Sequence, residues 1–146
     1  MITVHGACIA LCGAGILIRG PSGAGKSSLA LLLAAAADGA FVADDRVVCT
    51  ARDGRLVASP HPALAGRVEV RGQGILSVDD LGLPSAPDAE LHLAVDLVDS
   101  AMRLPEPPAD AVLLGITLHR LVLDRGARSA GLAPLLIRAA LRKRHA

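Results

Sequence analysis

The sequence is poor in aromatic residues and in lysine. It contains one Phe and neither Tyr nor Trp, so the aromatic platforms on which single-stranded nucleic acids usually stack are missing. The net charge is +1 and arginines are scattered along the chain, so we expect no nucleic-acid partner. Only Lys26 and Lys143 are lysines. Because arginine supplies nearly every other positive charge, Lys26 indicates a site that needs a compact ammonium group.

Long apolar runs are also missing. No apolar stretch reaches the roughly 20 residues that span a bilayer, and residues 1–5 lack the basic and apolar regions of a signal peptide. We therefore expect a cytoplasmic protein without a membrane segment. The three cysteines, Cys8, Cys12 and Cys49, show no clear metal-ligand pattern, which favours reduced, partly buried thiols.

A length of 146 residues suits a single domain, which we take to span residues 1–146. The Ala- and Leu-rich segment 26–37 predicts a helix that ends at Asp38-Gly39. We expect Ser129 to cap a last helix that reaches about Lys143. Short apolar or alternating segments predict strands at 2–5, 7–12, 15–19, 41–43 and 67–71, and residues 91–98 and 112–123 give two or three more.

Two apolar runs flank Arg52-Asp53-Gly54-Arg55. Asp-Gly between such runs is a strong hairpin signal, so segments 47–51 and 56–58 should pair antiparallel. Strands outnumber helices in this interpretation. The sequence therefore predicts an α/β fold with a mixed sheet, antiparallel additions and a C-terminal helix.

One segment matches the phosphate-binding pattern G-x-x-x-x-G-K-[ST] at every fixed position. A strand is predicted before it and a helix after it, as the pattern requires. Its glycines let backbone N–H groups curl around a phosphate, Lys26 can reach the β and γ phosphates, and the Ser27 hydroxyl can bind Mg²⁺. A Gly-rich turn that binds nothing is the alternative. The predicted nucleotide-binding residues are Gly20, Pro21, Ser22, Gly23, Ala24, Gly25, Lys26 and Ser27.

Acidic and basic residues elsewhere could complete such a site. Asp44-Asp45 ends the predicted strand after the helix, where a carboxylate could serve Mg²⁺-bound water or act as a general base. Neighbours on a strand point to opposite faces, so only one should face the phosphates, unless the pair merely begins a solvated turn. Glu69 and Arg71 share one strand face, so they could meet a metal and a phosphate, or pair with each other at a sheet edge. His5 could be functional or structural.

Four segments together resemble the HPr kinase/phosphorylase family in order and spacing. They are Val4-His5-Gly6, residues 20–27, Val42-Ala43-Asp44-Asp45 and Glu69-Val70-Arg71-Gly72-Gln73-Gly74-Ile75. The likeness covers about residues 2–104, and the last segment is its most specific part. It implies an ATP-dependent protein serine kinase that uses Mg²⁺, phosphorylates a small HPr-like phosphocarrier protein and assembles as a homo-oligomer, a hexamer in the family.

The resemblance also implies roles for individual residues. His5 and Lys26 would be active-site residues, Asp44 the general base, and Ser27 and Glu69 the Mg²⁺ ligands. Arg71 lies in the segment tied to both reaction directions. Arg103, in Arg103-Leu104, resembles a later active-site arginine of the family.

One family feature is missing from the sequence. The Pro-Gly-Arg-Asn segment tied to dephosphorylation has no counterpart in residues 118–126, so we expect mainly a kinase. Reversal needs an additional anion site, and Arg125 beside Gly126 is the candidate replacement. Two other functions remain open: a P-loop kinase for a small molecule, and a non-catalytic nucleotide sensor.

Overall fold

The computed structural model describes residues 1–100 and 108–144. Strands dominate these residues, as predicted, and the fold is α/β with a mixed sheet and helices at the C-terminal end. A short 3-10 helix, Pro62–Leu64, joins two of the strands. The elements are β1 Ile2–Leu11, β2 Ala14–Arg19, α1 Lys26–Ala34, β3 Gly39–Arg52, β4 Arg55–Pro60, β5 Arg67–Val70, β6 Gly74–Ser77, β7 Ala89–Leu97, β8 Ala111–Leu113, β9 Ile116–Leu118, β10 Arg120–Leu123, α2 Arg125–Ser129 and α3 Ala133–Arg144.

Six strands form the main sheet, in the order β10-β7-β2-β1-β3-β4. The strands β10, β7 and β2 run parallel, whereas β1, β3 and β4 are joined by antiparallel pairings. A further antiparallel pairing between β4 and β7 makes the sheet curve back on itself. Two small hairpins, β5–β6 and β8–β9, stand outside it. The carboxyl ends of the parallel strands β2 and β7 thereby meet beside residue 20, where the phosphate-binding pattern begins.

The curved sheet separates two apolar clusters. One lies between the sheet and the helices α1 and α3, and it includes Phe41, Ile137 and the β5 residue Val68. The other lies on the opposite face and includes Leu17 and the buried thiols of Cys8 and Cys49. Burial raises the pKa of both thiols, so they stay protonated and unreactive. Cys12 is free and exposed, so the predicted burial holds for two of the three cysteines.

Several predicted boundaries are wrong. The segments 2–5 and 7–12 form one strand, β1, because the whole length pairs with β3. Helix α1 ends at Ala34, three residues before the predicted end, and residues to Asp38 form a turn. Ser129 ends α2 and caps nothing further, since α3 begins at Ala133.

The hairpin prediction is confirmed. β3 and β4 pair antiparallel with Arg52 opposite Arg55 across the Asp53-Gly54 turn. Both turn residues have positive φ, 52° and 76°, which Asp and Gly tolerate in tight hairpin turns. In the described part of the chain, none of the helices has the length and apolar character needed to cross a membrane.

Candidate active site

The phosphate-binding pattern forms the connection between β2 and α1. Gly23 and Gly25 have φ of 83° and 93°, in the left-handed region that residues with a side chain seldom adopt. Gly20 packs against the end of β7, where an added Cβ would lie 3.1 Å from the Leu97 Cβ. The loop therefore keeps a compact turn whose N–H groups can converge at the N-terminus of α1, as phosphate binding requires.

The Lys26 side chain lies against the loop and is largely shielded from solvent. It is only 9% exposed, and its Nζ donates to the carbonyl oxygens of Gly20 and Pro21 at 2.7 and 3.0 Å. An ammonium group gives three donors on a compact head, so the side chain fits this curled backbone. A phosphate bound at the loop would supply oxygens that replace these two carbonyl groups as acceptors of the Lys26 hydrogen bonds.

The next residue of the pattern contacts one of the two predicted acids. The Ser27 hydroxyl donates to the Asp44 carboxylate at 2.8 Å, although the two residues are 17 apart in sequence. Asp44 is 6% exposed. Burial raises the pKa of its carboxyl, and hydrogen bonds from Ser27 and from the backbone N–H groups of Glu69 and Asp45 oppose the rise without cancelling it. A carboxylate whose pKa is moved toward neutrality is suited to accept a proton.

The prediction that the strand ends at the two acids is wrong, and so is the prediction that they face apart. β3 runs through both residues to Arg52, but Asp45 has a φ of 68°. This left-handed residue breaks the alternation of the strand, so both acids line the same cavity. Asp45 is exposed and pairs with the His5 Nε2 at 3.1 Å. Only Asp44 contacts the phosphate-binding pattern through a side-chain hydrogen bond.

The β5–β6 hairpin forms the opposite wall. Buried Val68 anchors β5 to the core, while Arg67, Glu69 and Arg71 are exposed and line the cavity. The alternation predicted for this segment is therefore confirmed. Within the described residues, Glu69 and Arg71 do not form an ion pair with each other, so the structure does not support the proposed sheet-edge pair.

The resulting cavity has a volume of about 810 Å³. It brings together most of the residues that the sequence singles out, including His5, Lys26, Ser27, Asp44, Glu69 and Arg71. Arg103 lies outside the described residues. Arg67, Ser28 and the second acid, Asp45, also line the cavity. Arg67 could have been predicted from the sequence, because it lies two residues before Glu69 and therefore on the same strand face.

The donor set suits a hard cation. Hydroxyl and carboxylate oxygens of Ser27, Asp44 and Glu69 face one cavity, and such oxygens are the ligands that Mg²⁺ prefers. Over residues 1–100 and 108–144, no cluster of three or more His, Cys, Asp or Glu side chains could hold a metal by itself. A Mg²⁺ ion here would therefore complete its shell with phosphate oxygens and water, which is its common arrangement in nucleotide sites.

Arg125, the expected replacement at a second anion site, is engaged elsewhere, and so is the nearby Arg128. Arg125 pairs with Asp99 at 3.0 Å, and an Arg128 Nη1 donates to the carbonyl oxygens of Val98 and Leu123 at 2.8 and 2.6 Å. Neither residue lines the cavity. Arg125 is therefore not placed to replace the missing family segment.

A charge cluster at the end of β2, where the loop begins, was not predicted from the sequence. Arg19, the last residue of β2, donates twice to the Asp96 carboxylate, at 2.7 and 2.9 Å, and Arg120 of β10 donates to the same carboxylate. Burial raises the pKa of Asp96, but the two guanidinium groups outweigh it and leave the pKa lowered. Since Arg19 directly precedes Gly20, this cluster fixes the strand end from which the phosphate-binding loop departs.

The domain has the strand, glycine-rich turn and helix of a nucleotide-binding loop, and the Asp44 carboxylate accepts a hydrogen bond from Ser27 of that loop. These features define it as a P-loop domain. The protein-family model of the HPr Serine kinase C-terminal domain matches residues 1–118 of the sequence. The chain belongs to that family. The predicted resemblance is thereby confirmed.

Individual relatives agree with this assignment. The chain is 36% identical to the HPr kinase/phosphorylase of Bordetella petrii over 130 residues, covering 84% of this chain and 42% of the relative. It is 43% identical to that of Clostridium tetani over 86 residues, covering 58% and 28%. The chain thus spans less than half the length of the curated relatives it matches.

A solved structure resembles the whole domain. The Hpr(Ser) kinase/phosphatase from Coxiella burnetii superimposes with a TM-score of 0.81 and 25% identity, covering 99% of this chain and 97% of that one. The match therefore includes α2 and α3, which follow the part matched by the family model.

Proposed function

We propose that this domain transfers the γ-phosphoryl group of ATP to a serine of a small HPr-like phosphocarrier protein. The observation that carries the proposal is the contact between Ser27 and the buried Asp44 at 2.8 Å. This contact joins the nucleotide-binding loop to a carboxyl group with a raised pKa. Glu69 and Arg71 line the same cavity. Family membership and the names of the relatives support the same activity.

Each residue has a defined task in this proposal. Asp44 accepts the proton of the acceptor serine as the phosphoryl group is transferred. Lys26 and the loop N–H groups stabilise the charge of the transferring group, and Arg71 orients it. Mg²⁺, held by Ser27 and Glu69, would neutralise phosphate charge. Catalysis of this type consists largely of positioning, which explains why few side chains are needed.

His5, which pairs with Asp45 at 3.1 Å, adds one further polar group to the lining of the cavity. We assign His5 to the acceptor side, because the nucleotide loop contacts Asp44 rather than this pair. We further propose a cytoplasmic location and, from the family resemblance, a homo-oligomer, which is a hexamer in the family.

Transfer of radiolabel from γ-labelled ATP tests the proposal. We expect labelled phosphocarrier protein with wild-type enzyme and none with Lys26→Ala. ATP hydrolysis without carrier, or label found only in a small molecule, would favour the small-molecule kinase. Tight ATP binding without turnover under any acceptor condition would favour the nucleotide sensor. A negative result is decisive only after nucleotide binding by the wild-type protein has been measured.

A further inference from the structure

A row of three side chains crosses the sheet beside the cavity. His5 on β1 lies directly opposite Arg46 on β3. The His61 N–H donates to the Arg46 carbonyl oxygen at 3.4 Å, next to the pair formed by Val47 and Pro60. Side chains directly opposite each other on antiparallel strands lie about 5 Å apart on one face of the sheet. Arg46 therefore stands between two histidines, on the face from which His5 reaches the cavity.

Both neighbours of Arg46 are held in place. The His5 Nε2 lies 3.1 Å from the Asp45 carboxylate, and the His61 Nδ1 accepts a hydrogen bond from the Ala63 N–H at 3.1 Å, which caps the 3-10 helix. Arg46 itself is exposed. Over residues 1–100 and 108–144, its guanidinium group forms no ion pair and no hydrogen bond. The row thus presents one unengaged cation between two fixed side chains.

Arg46 lies just outside the cavity, because His5 belongs to the lining and Arg46 does not. A ligand confined to the cavity leaves Arg46 in solvent. A protein that delivers a serine to Asp44 must in addition cover the rim beside His5. The surface of such a protein next to its serine comes to lie over Arg46.

We propose that Arg46 recognises a carboxylate side chain of the acceptor protein, close to the serine that is phosphorylated. A guanidinium group can bind a carboxylate through two parallel hydrogen bonds. Charges at the rim of an interface determine partner choice and the rate of encounter. Arg46 is thus a specificity-determining residue that takes no part in phosphoryl transfer. The assignment rests on the proposed function, because it requires a protein acceptor.

Steady-state kinetics with the carrier protein as the varied substrate test this role. Arg46→Gln should raise the KM for the carrier about two- to fivefold, the effect of one partly solvated charge pair, while kcat and the KM for ATP stay within about twofold. Arg46→Lys should restore part of the loss. Arg46→Glu should raise the KM further than Arg46→Gln, because like charges then face each other. Added salt should raise the KM of wild type more steeply than that of Arg46→Gln.

Arg52→Gln is the matched control, because Arg52 is an exposed arginine at the far end of the same strand and does not line the cavity. It should leave the KM for the carrier unchanged. An unchanged KM in Arg46→Gln, or a lower kcat at unchanged KM, overturns the role of Arg46. Absence of labelled carrier with wild-type enzyme would instead overturn the proposed function.

A double-mutant cycle identifies the partner group. Carboxylates of the carrier near its serine are neutralised one at a time, and each carrier variant is assayed with wild type and with Arg46→Gln. One of these substitutions should raise the KM with wild-type enzyme and have no effect with Arg46→Gln, as expected for two groups in contact. Additive losses for every carboxylate would refute the proposed recognition.

Discussion

The Asp96 carboxylate offers a matched pair of perturbations below the P-loop. Arg19 donates two hydrogen bonds to it and leads directly into the loop, whereas Arg120 donates from β10 on the other side. All three side chains are less than one third exposed. Arg19→Gln and Arg120→Gln therefore remove similar charge contacts from one carboxylate, but only the first touches the strand end that carries the loop.

The expected magnitudes follow from these contacts. A hydrogen bond to a charged group contributes about 1.5–3 kcal/mol, and roughly 4 °C of melting temperature corresponds to 1 kcal/mol in a domain of this size. Arg120→Gln, which removes one such bond, should therefore melt about 6–12 °C lower than wild type, and Arg19→Gln, which removes two, should melt at a still lower temperature. Arg19→Gln should in addition weaken nucleotide binding about tenfold because the loop loses its fixed base. Arg120→Gln should leave nucleotide affinity within about twofold.

Thermal denaturation and nucleotide calorimetry on the two variants test this reasoning. Equal losses of nucleotide affinity, or no loss in Arg19→Gln, would show that the cluster stabilises the fold without positioning the loop. The pH dependence gives a second check. The lowered pKa of Asp96 means that its contribution is full above the ordinary carboxyl pKa, near 3.8, and is lost as pH falls through the folded-state value. The stability gap between wild type and Arg19→Gln should therefore shrink below about pH 4.

Four further substitutions test the cavity itself. Lys26→Ala should abolish phosphoryl transfer while circular dichroism shows a folded protein, since the Lys26 ammonium group hydrogen-bonds to carbonyl oxygens of the loop. An active variant would refute the P-loop assignment. Asp44→Asn should lower kcat by about 10²–10⁴-fold with little change in nucleotide affinity, whereas Asp45→Asn, on an exposed residue, should be milder, and equal mild losses would contradict the base assignment. Glu69→Gln should raise the Mg²⁺ concentration needed for half-maximal activity, because a neutral amide binds a hard cation less well; an unchanged titration would remove Glu69 from the metal shell.

Local patterns predicted the parts of the site that depend on local geometry. Three features follow from short-range backbone rules, and each is found in the structure. They are the P-loop, the Asp53-Gly54 hairpin and the shared face of Glu69 and Arg71. Family resemblance placed His5 at the cavity, where spacing alone left its role open. The residues of the P-loop, the hairpin and the β5 segment were predictable because their neighbours in sequence determine the backbone geometry and the direction of their side chains.

Long-range contacts set the features that were missed. Nothing near Asp45 in sequence indicates its positive φ, which arises within the pairing of β1 with β3. The link from Arg19 to Asp96 joins residues 77 apart, and no local pattern predicts which arginine reaches which carboxylate. The sequence also gave no indication that β4 would pair with β7 and curve the sheet.

The parallel pairing of β2 with β7 has a kinetic consequence. The P-loop is a single continuous segment, yet the strand end below it is fixed by a residue 77 positions later in the chain. Closing so long a loop is slow compared with forming the β1–β2 and β3–β4 hairpins. Competence to bind nucleotide should therefore emerge late in refolding, after most secondary structure has formed. A nascent chain that has not yet released β7 from the ribosome would carry the whole phosphate-binding pattern without a working nucleotide site.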